Sequence, residues 1–568
     1  MIAGLVPLLV IVALISLVWR AVQGRPSVPG QQAHSLRRLI AALLLFGLVV
    51  IVTVGLSTLL GELIVASVTV DYVRDTKAVA QSLAFVLVGA PLLVALARYS
   101  LVRLRDDDHR RSASWRLQVV LGTVVSVAGV MITWHQVLRR IGDGDGFEWR
   151  ALGPAVAWTG AWVFEWVLQR RRPPGSGVHR LIAAAMGLVT MTVGLVGSLR
   201  SLVESTIYRD IVGSDGAPRS WRPWLATLAV GAAVWAWYWL AHCRHEARTP
   251  AWYALVLLGG GLGGLATAVT AASIGAYRVV IRWIGETPDV PSARYFRFVP
   301  ATLATALVGL ASWGYHRAEL RRGGEPRRSE PVRAYAYLSA FAGLGAGAVG
   351  VVMLVMGVIE ELVPETSTSV RSEPTNRLVA AVILVVVGGL VWASSWRGIQ
   401  RWARTDPGAE LHSVVRRVYV TGLFGAGATA SIVGVLIVVT QVFEDGLDGV
   451  AGWHTLDDAA IGIGLVAAAA GITWYHLSVL RGERPTYAAS MPQESRKHVV
   501  VVARDAASVA GALASRGVGR TEAWERDGGS AADVDLDRLA ASIMSYPADR
   551  LLVLIGVGEP QIVGYHVS

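Results

Sequence analysis

Cysteine is almost absent from this 568-residue chain: Cys243 stands alone, so no disulfide can form within it. Lysine is nearly as rare, with Lys77 and Lys497 the only two, and arginine supplies almost all the positive charge. Charged residues make up only 16% of the chain, too few to clothe a soluble protein of this size. Catalytic and nucleotide-binding signatures are missing as well. There is no Walker lysine, no HExxH, no GxSxG and no paired-cysteine motif, so no cofactor is called for. His242 and His245 flank Cys243, but two histidines and one thiol fall short of the four ligands zinc usually takes.

What is present is apolar. Hydrophobic residues reach 53% and the mean hydropathy is +0.49, values that place the chain among polytopic membrane proteins. The net charge of +11 could suggest nucleic acid as a partner. The arginines, however, lie between apolar runs, where they orient a chain in a bilayer, so the expected partner is lipid and not nucleic acid.

The clearest pattern runs from Arg416 to Arg484. Two apolar runs of about 20 residues, each long enough to cross a bilayer, are joined by a bend carrying Glu444, Asp445, Asp448, Asp457 and Asp458. Arginines close both outer ends. The same form recurs, giving six expected two-helix hairpins at 37–111, 112–176, 177–249, 250–330, 331–411 and 412–484. Residues 1–36 hold an additional apolar run, Ile2 to Val18, with a basic stretch behind it. It lacks a positive start and a clear small-residue cleavage site, so it is expected to stay as a first helix, a cleaved signal being the alternative. The expected fold is therefore an all-α polytopic bundle of about 13 transmembrane helices. The open-side loops carry runs such as Arg170, Arg171, Arg172 and Arg321–Arg328, which predicts a cytoplasmic C-terminus and an outside N-terminus.

Composition changes after Arg484. A polar linker with Pro485 and Pro492 fills 485–497. Residues 498–568 read as a small α/β domain. HVVVVA from His498 has the continuous apolarity of a buried strand. Asp505 to Arg516 has helical spacing with Gly517 as its stop. Asp535 to Tyr546 reads as a second helix, and LLVLIG with QIVGYHV reads as a strand hairpin.

Candidate sites are few. Glu165 and Arg98 are the ionisable residues placed near the inner ends of second helices, and Glu165 is the deeper. A charge in hydrocarbon costs several kcal/mol, so Glu165 could be a proton carrier or cation ligand. The plainer account, taken as the expectation, is a carboxylate reaching back to Arg170 or Arg171. Aligning the hairpin endings sets Tyr99, Trp166, Trp239, His316, Trp396 and His476 in one column, expected to form an interfacial aromatic belt. In the tail, Asp533, Asp535 and Asp537 could bind a cation, but they more simply supply negative charge at a helix start. They also offer a docking stretch for a basic loop or a cytoplasmic protein partner. Glycine strings such as Gly259–Gly264 and Gly343–Gly350 lie inside apolar spans without a preceding strand, so they read as helix-packing surfaces and not as phosphate loops.

The WxxHR and WYHxxxxR endings, the arginine-rich starts and the paired spans resemble an uncharacterised bacterial multi-pass membrane family with tandem helix pairs, labelled a domain of unknown function. The resemblance covers about Arg37 to Arg484. It implies repeats and a membrane, and it transfers no activity and no site. The expected role is a non-enzymatic scaffold or sensor, with a solute or ion transporter as the alternative.

Overall fold

The computed structural model describes residues 31–69, 75–106, 112–141, 148–171, 177–206, 221–285, 287, 289–322, 329–363, 374–411, 413–490, 497–527, 534–556 and 559–565. The apolar run at 2–18 lies outside the described residues. Long helices follow one another as α1 (Gln31–Val68), α2 (Thr76–Arg103), α3 (Ala113–Arg140), α4 (Leu152–Arg171) and α5 (Val178–Thr206). Next come α6 (Arg222–His245), α7 (Pro250–Ile284), α8 (Phe296–Arg322) and α9 (Glu330–Leu362). The last three are α10 (Pro374–Thr405), α11 (Val414–Leu447) and α12 (Ala460–Ser490).

Eleven of these helices, all but α4, are long and apolar enough to cross a membrane, and the protein is a multi-pass membrane protein. The expected 13 spans are not all represented: one falls on undescribed residues, and α4 is diluted by Trp158, Trp162, Glu165, Trp166 and Gln169. α4 packs nonetheless between α1 and α3.

Consecutive helices meet through glycine. In α9, a Cβ on Gly343 would fall 2.5 Å from the Trp392 backbone nitrogen on α10, and one on Gly350 would fall 2.7 Å from that of Val385. Gly357 instead faces the side chain of Leu378, whose Cδ2 would lie 2.7 Å from such a Cβ. Residue numbers rise along one helix as they fall along the other, so the pair is antiparallel. Gly187 faces Trp235 across α5 and α6, and Gly434 faces Gly462 across α11 and α12. Lipid gives helices no hydrophobic reason to associate, so small residues that let backbones touch carry the packing.

The chain divides into two compact units, Met1–Trp392 and Ala393–Ser568. In the first, α1 packs on α2, α3 and α4, while α5 packs on α6 and α8. Two π-helical turns, Ala236–Leu240 in α6 and Leu255–Leu262 in α7, lie there. Each extra residue re-aims the side chains around it, and Trp239 and Trp252 stack inward with centroids 5.8 Å apart.

The tail sheet holds β1 (His498–Ala503), β2 (Arg520–Glu525), β3 (Arg550–Leu554) and β4 (Gln561–Gly564) in the order β2-β1-β3-β4. β1 runs parallel to β2 and β3, and β4 is antiparallel to β3. The pairing of His498–Ala503 with the Leu551 strand is as the apolar runs predict. β2 had no such signal, because RTEAWE is polar and nearly all exposed. Helices α13 (Ala506–Ser515) and α14 (Leu536–Ser545) cover one face. Gly517 stops α13 with φ +79°, a conformation glycine adopts without the steric cost other residues meet. Val499, Val501, Leu513, Ile543, Leu551 and Val553 are fully buried between helices and sheet.

Candidate functional site

The first four helices place a carboxylate inside the bundle. Glu165 on α4 is 1% exposed. It meets α3 at Gly122, whose missing side chain leaves room for the carboxylate. Gln118 Nε2, one turn before that glycine, donates to Glu165 Oε1 at 3.4 Å, and Gln118 is itself 1% exposed. The second carboxylate oxygen of Glu165 and the Gln118 carbonyl oxygen have no hydrogen-bond partner among the described residues. One turn further along, Gln169 Nε2 donates to Thr123 Oγ1 at 2.8 Å. α3 and α4 thus share a polar seam in a position where lipid could not satisfy these groups. The expected reach of Glu165 to Arg170 is not made: the Arg170 guanidinium lies over the Trp166 ring, 5.3 Å from its centroid. The Arg171 side chain lies outside the described residues. Arg98 is exposed on α2, away from the seam.

A cavity of about 470 Å³ opens at the ends of α1, α2 and α3. Arg37 and Arg38 lie in the second turn of α1, Arg103 ends α2 with Arg105 just beyond it, and all four line the mouth. Gln118 and Trp115 line the interior. Trp115 is 4% exposed, and its indole N–H has no partner among the described residues. The cavity therefore combines a cationic mouth with a buried polar interior that touches the Glu165 seam through Gln118.

Elsewhere several charges pair. Glu62 meets Arg150 at 3.2 Å, Arg200 meets Glu204 at 2.7 Å, and Glu360 pairs with Arg377. Among the described residues no group of three His, Cys, Asp or Glu could hold a metal ion.

The expected belt column is mostly turned inward. Tyr99 is 40% exposed, and Trp166 is half-buried against Trp162, Trp237, Tyr238 and His242. Trp239, His316, Trp396 and His476 are buried. They form two like constellations. Trp239 Nε1 donates to Tyr315 Oη at 2.9 Å, and Trp396 Nε1 donates to Tyr475 Oη at the same distance. His316 Nδ1 donates to the Ser312 carbonyl at 2.8 Å, and His476 Nδ1 to that of Ile472 at 2.9 Å. These bonds turn each imidazole into the helix contact: His316 lies against Gly260, and His476 Nε2 faces Tyr419 Oη at 3.4 Å.

The environment of these histidines matches that of Glu165, not Trp166. Each follows an aromatic residue (Phe164, Tyr315 and Tyr475 in turn), and each packs on the preceding long helix. A register keyed on that aromatic would have found the set. Gln118 and Trp115 carried no sequence signal, since their neighbours come from other helices.

In the tail, Asp535 Oδ1 accepts from the backbone N–H groups of Asp537 and Arg538 at 3.1 Å, capping α14, and Asp537 pairs with Arg516 at 2.6 Å. Asp533 lies outside the described residues. Lys497 Nζ donates to the Ile543 carbonyl at the other end of α14. Replacing Asp535 with alanine is expected to lower the stability of the tail by about 1 kcal/mol, as loss of a helix cap does, and Asp535→Asn much less. Hydrogen exchange of α14 amides in the full chain would read the difference.

Comparison with known proteins gives one match. The model of a family described as a domain of unknown function (DUF5671) matches the chain three times, at residues 38–167, 178–315 and 333–473. No curated protein and no solved structure matches. The matches take in α1–α4, α5–α8 and α9–α12, so the recurring unit holds four long helices. That is twice the two-helix period read from the sequence.

Proposed function

The chain belongs to the family of this domain of unknown function, and on that premise we propose that it is a non-enzymatic membrane scaffold or sensor presenting its C-terminal α/β unit to a cytoplasmic protein. One observation carries the reading. The α/β unit lies beyond the third matched segment and has a core of its own, so it is an addition to a repeated membrane platform. The arginine-rich loops support a reading with the C-terminus on the cytoplasmic side of a bacterial inner membrane, thirteen spans and the N-terminus outside. The acidic approach to α14 remains the proposed docking stretch, with Asp535 and Asp537 tied to the helix start.

A transporter is the second reading, favoured by one feature: Glu165 is an intramembrane carboxylate without a cationic partner among the described residues. Proteoliposomes separate the two. A scaffold leaves proton and cation flux at the level of protein-free vesicles, for the natural chain and for Glu165→Gln alike. Flux above that background, abolished by Glu165→Gln, would replace the scaffold with a transporter. In cells, a chain ending at residue 484 is expected to reproduce the loss of the whole protein. A fully active truncated chain would sink the scaffold reading.

A further inference from the structure

We propose that the cavity between the ends of α1, α2 and α3 is a binding site for a phosphate-bearing anion. This assignment is independent of whether the protein is a scaffold or a transporter. Three observations converge on it. At about 470 Å³ the cavity falls within the size range of small-ligand sites. Arg37, Arg38, Arg103 and Arg105 line it, and among the described residues Asp106 is the one acid beside them. None of the four arginines makes an ion pair with a described residue, and Arg103 is held over the Tyr99 ring at 5.2 Å. Inside, the Trp115 indole N–H is buried without an acceptor among the described residues. A buried donor without an acceptor has lost its water without recompense, and a ligand oxygen would remove that cost.

The chemistry selects phosphate over a simple halide. Guanidinium groups offer paired donors in a plane, which match two oxygens of a phosphate at once. The site also sits where apolar spans end. Ile40, Leu43 and Leu44 on α1 and Val102 on α2 are exposed close in sequence to the mouth arginines. A phosphate carried on a lipid would find acyl-compatible surface there, and basic pockets between transmembrane helices are suited to anionic headgroups. Free phosphate offers the same oxygens without that contact.

The test uses the full chain in neutral detergent, titrated with short-chain phosphatidylglycerol, inorganic phosphate or short-chain phosphatidylcholine, with thermal stability and native mass spectrometry as readouts. Phosphatidylglycerol is expected to bind and raise the melting temperature, with an effect that shrinks as salt rises. Arg38→Gln with Arg103→Gln should weaken binding at least about tenfold, since each removes a charge-assisted hydrogen-bond donor. Trp115→Phe keeps the ring and removes only the N–H, so it should weaken binding severalfold in a chain that still folds. Arg170→Gln, which alters an arginine outside the cavity, should change nothing. Equal saturation by inorganic phosphate, sensitive to the same substitutions, would assign the site to a soluble anion. Absence of binding by both phosphate probes would overturn the proposal. So would binding that survives the double substitution and Trp115→Phe, or that falls equally with Arg170→Gln.

Discussion

Replacing Gly350 with leucine is expected to eliminate the folded protein, read as loss of the monodisperse peak in detergent and collapse of the melting transition. A Cβ at this position would already stand 2.7 Å from the Val385 nitrogen and 2.9 Å from the Ala381 carbonyl oxygen, so α9 and α10 would have to separate. Neither obstacle is the tip of a flexible side chain that could swing aside. Overpacking a core costs about 1–3 kcal/mol where side chains can adjust, and two backbones adjust less. The separated helices would also lose the contacts at Gly343 and Gly357. Gly345→Leu is the control, because a Cβ there meets nothing within 4 Å. Equal stability of the two variants would refute glycine-mediated contact between α9 and α10.

Truncating Trp239 to alanine is expected to destabilise the first unit by about 3–5 kcal/mol, the usual range for removing a buried aromatic. Trp239 is 1% exposed, stacks on Trp252, and donates to Tyr315. Alanine would leave a void at a π-helical turn and strip Tyr315 of its donor. Trp239→Phe isolates part of the effect, with an expected cost of about 1 kcal/mol for the lost hydrogen bond. Interhelical hydrogen bonds in membranes average somewhat less, about 0.6 kcal/mol. Adding Tyr315→Phe should then cost less than it does alone, since no buried partner is left unmatched. Melting in detergent of the four members of this cycle measures the coupling, and strictly additive losses would show that the hydrogen bond contributes nothing.

How far the residues announced all this depends on the range of the interaction. Spans, arginine placement and the tail strands follow from local composition, and these were readable. α13 and its glycine stop were readable for the same reason. β2 was not, because its residues are exposed and its place is set by pairing with β1. The belt column failed on chemistry. Lining up Trp166 with His316 and His476 matched ring to ring, whereas the inward position is held by Glu165 in one repeat and histidine in the other two. Burial and partner are shared there, residue type is not. The cavity draws on Arg37, Arg103 and Trp115, which no single window of sequence brings together. The four-helix period was hidden because both halves of each unit end in similar aromatic and arginine runs.

The spacing of the contacts between α9 and α10 has a geometric consequence. Gly343, Gly350 and Gly357 recur every seven residues, and so do Leu378, Val385 and Trp392 opposite them. Seven residues fall about 20° short of two full turns of a straight α-helix. A seam kept in register over two such steps therefore requires the two helices to wind around each other in a left-handed sense. The glycines act as teeth of a gear cut to that winding. One residue inserted between Gly343 and Gly350 would rotate the second tooth by about 100° and leave it facing away from α10.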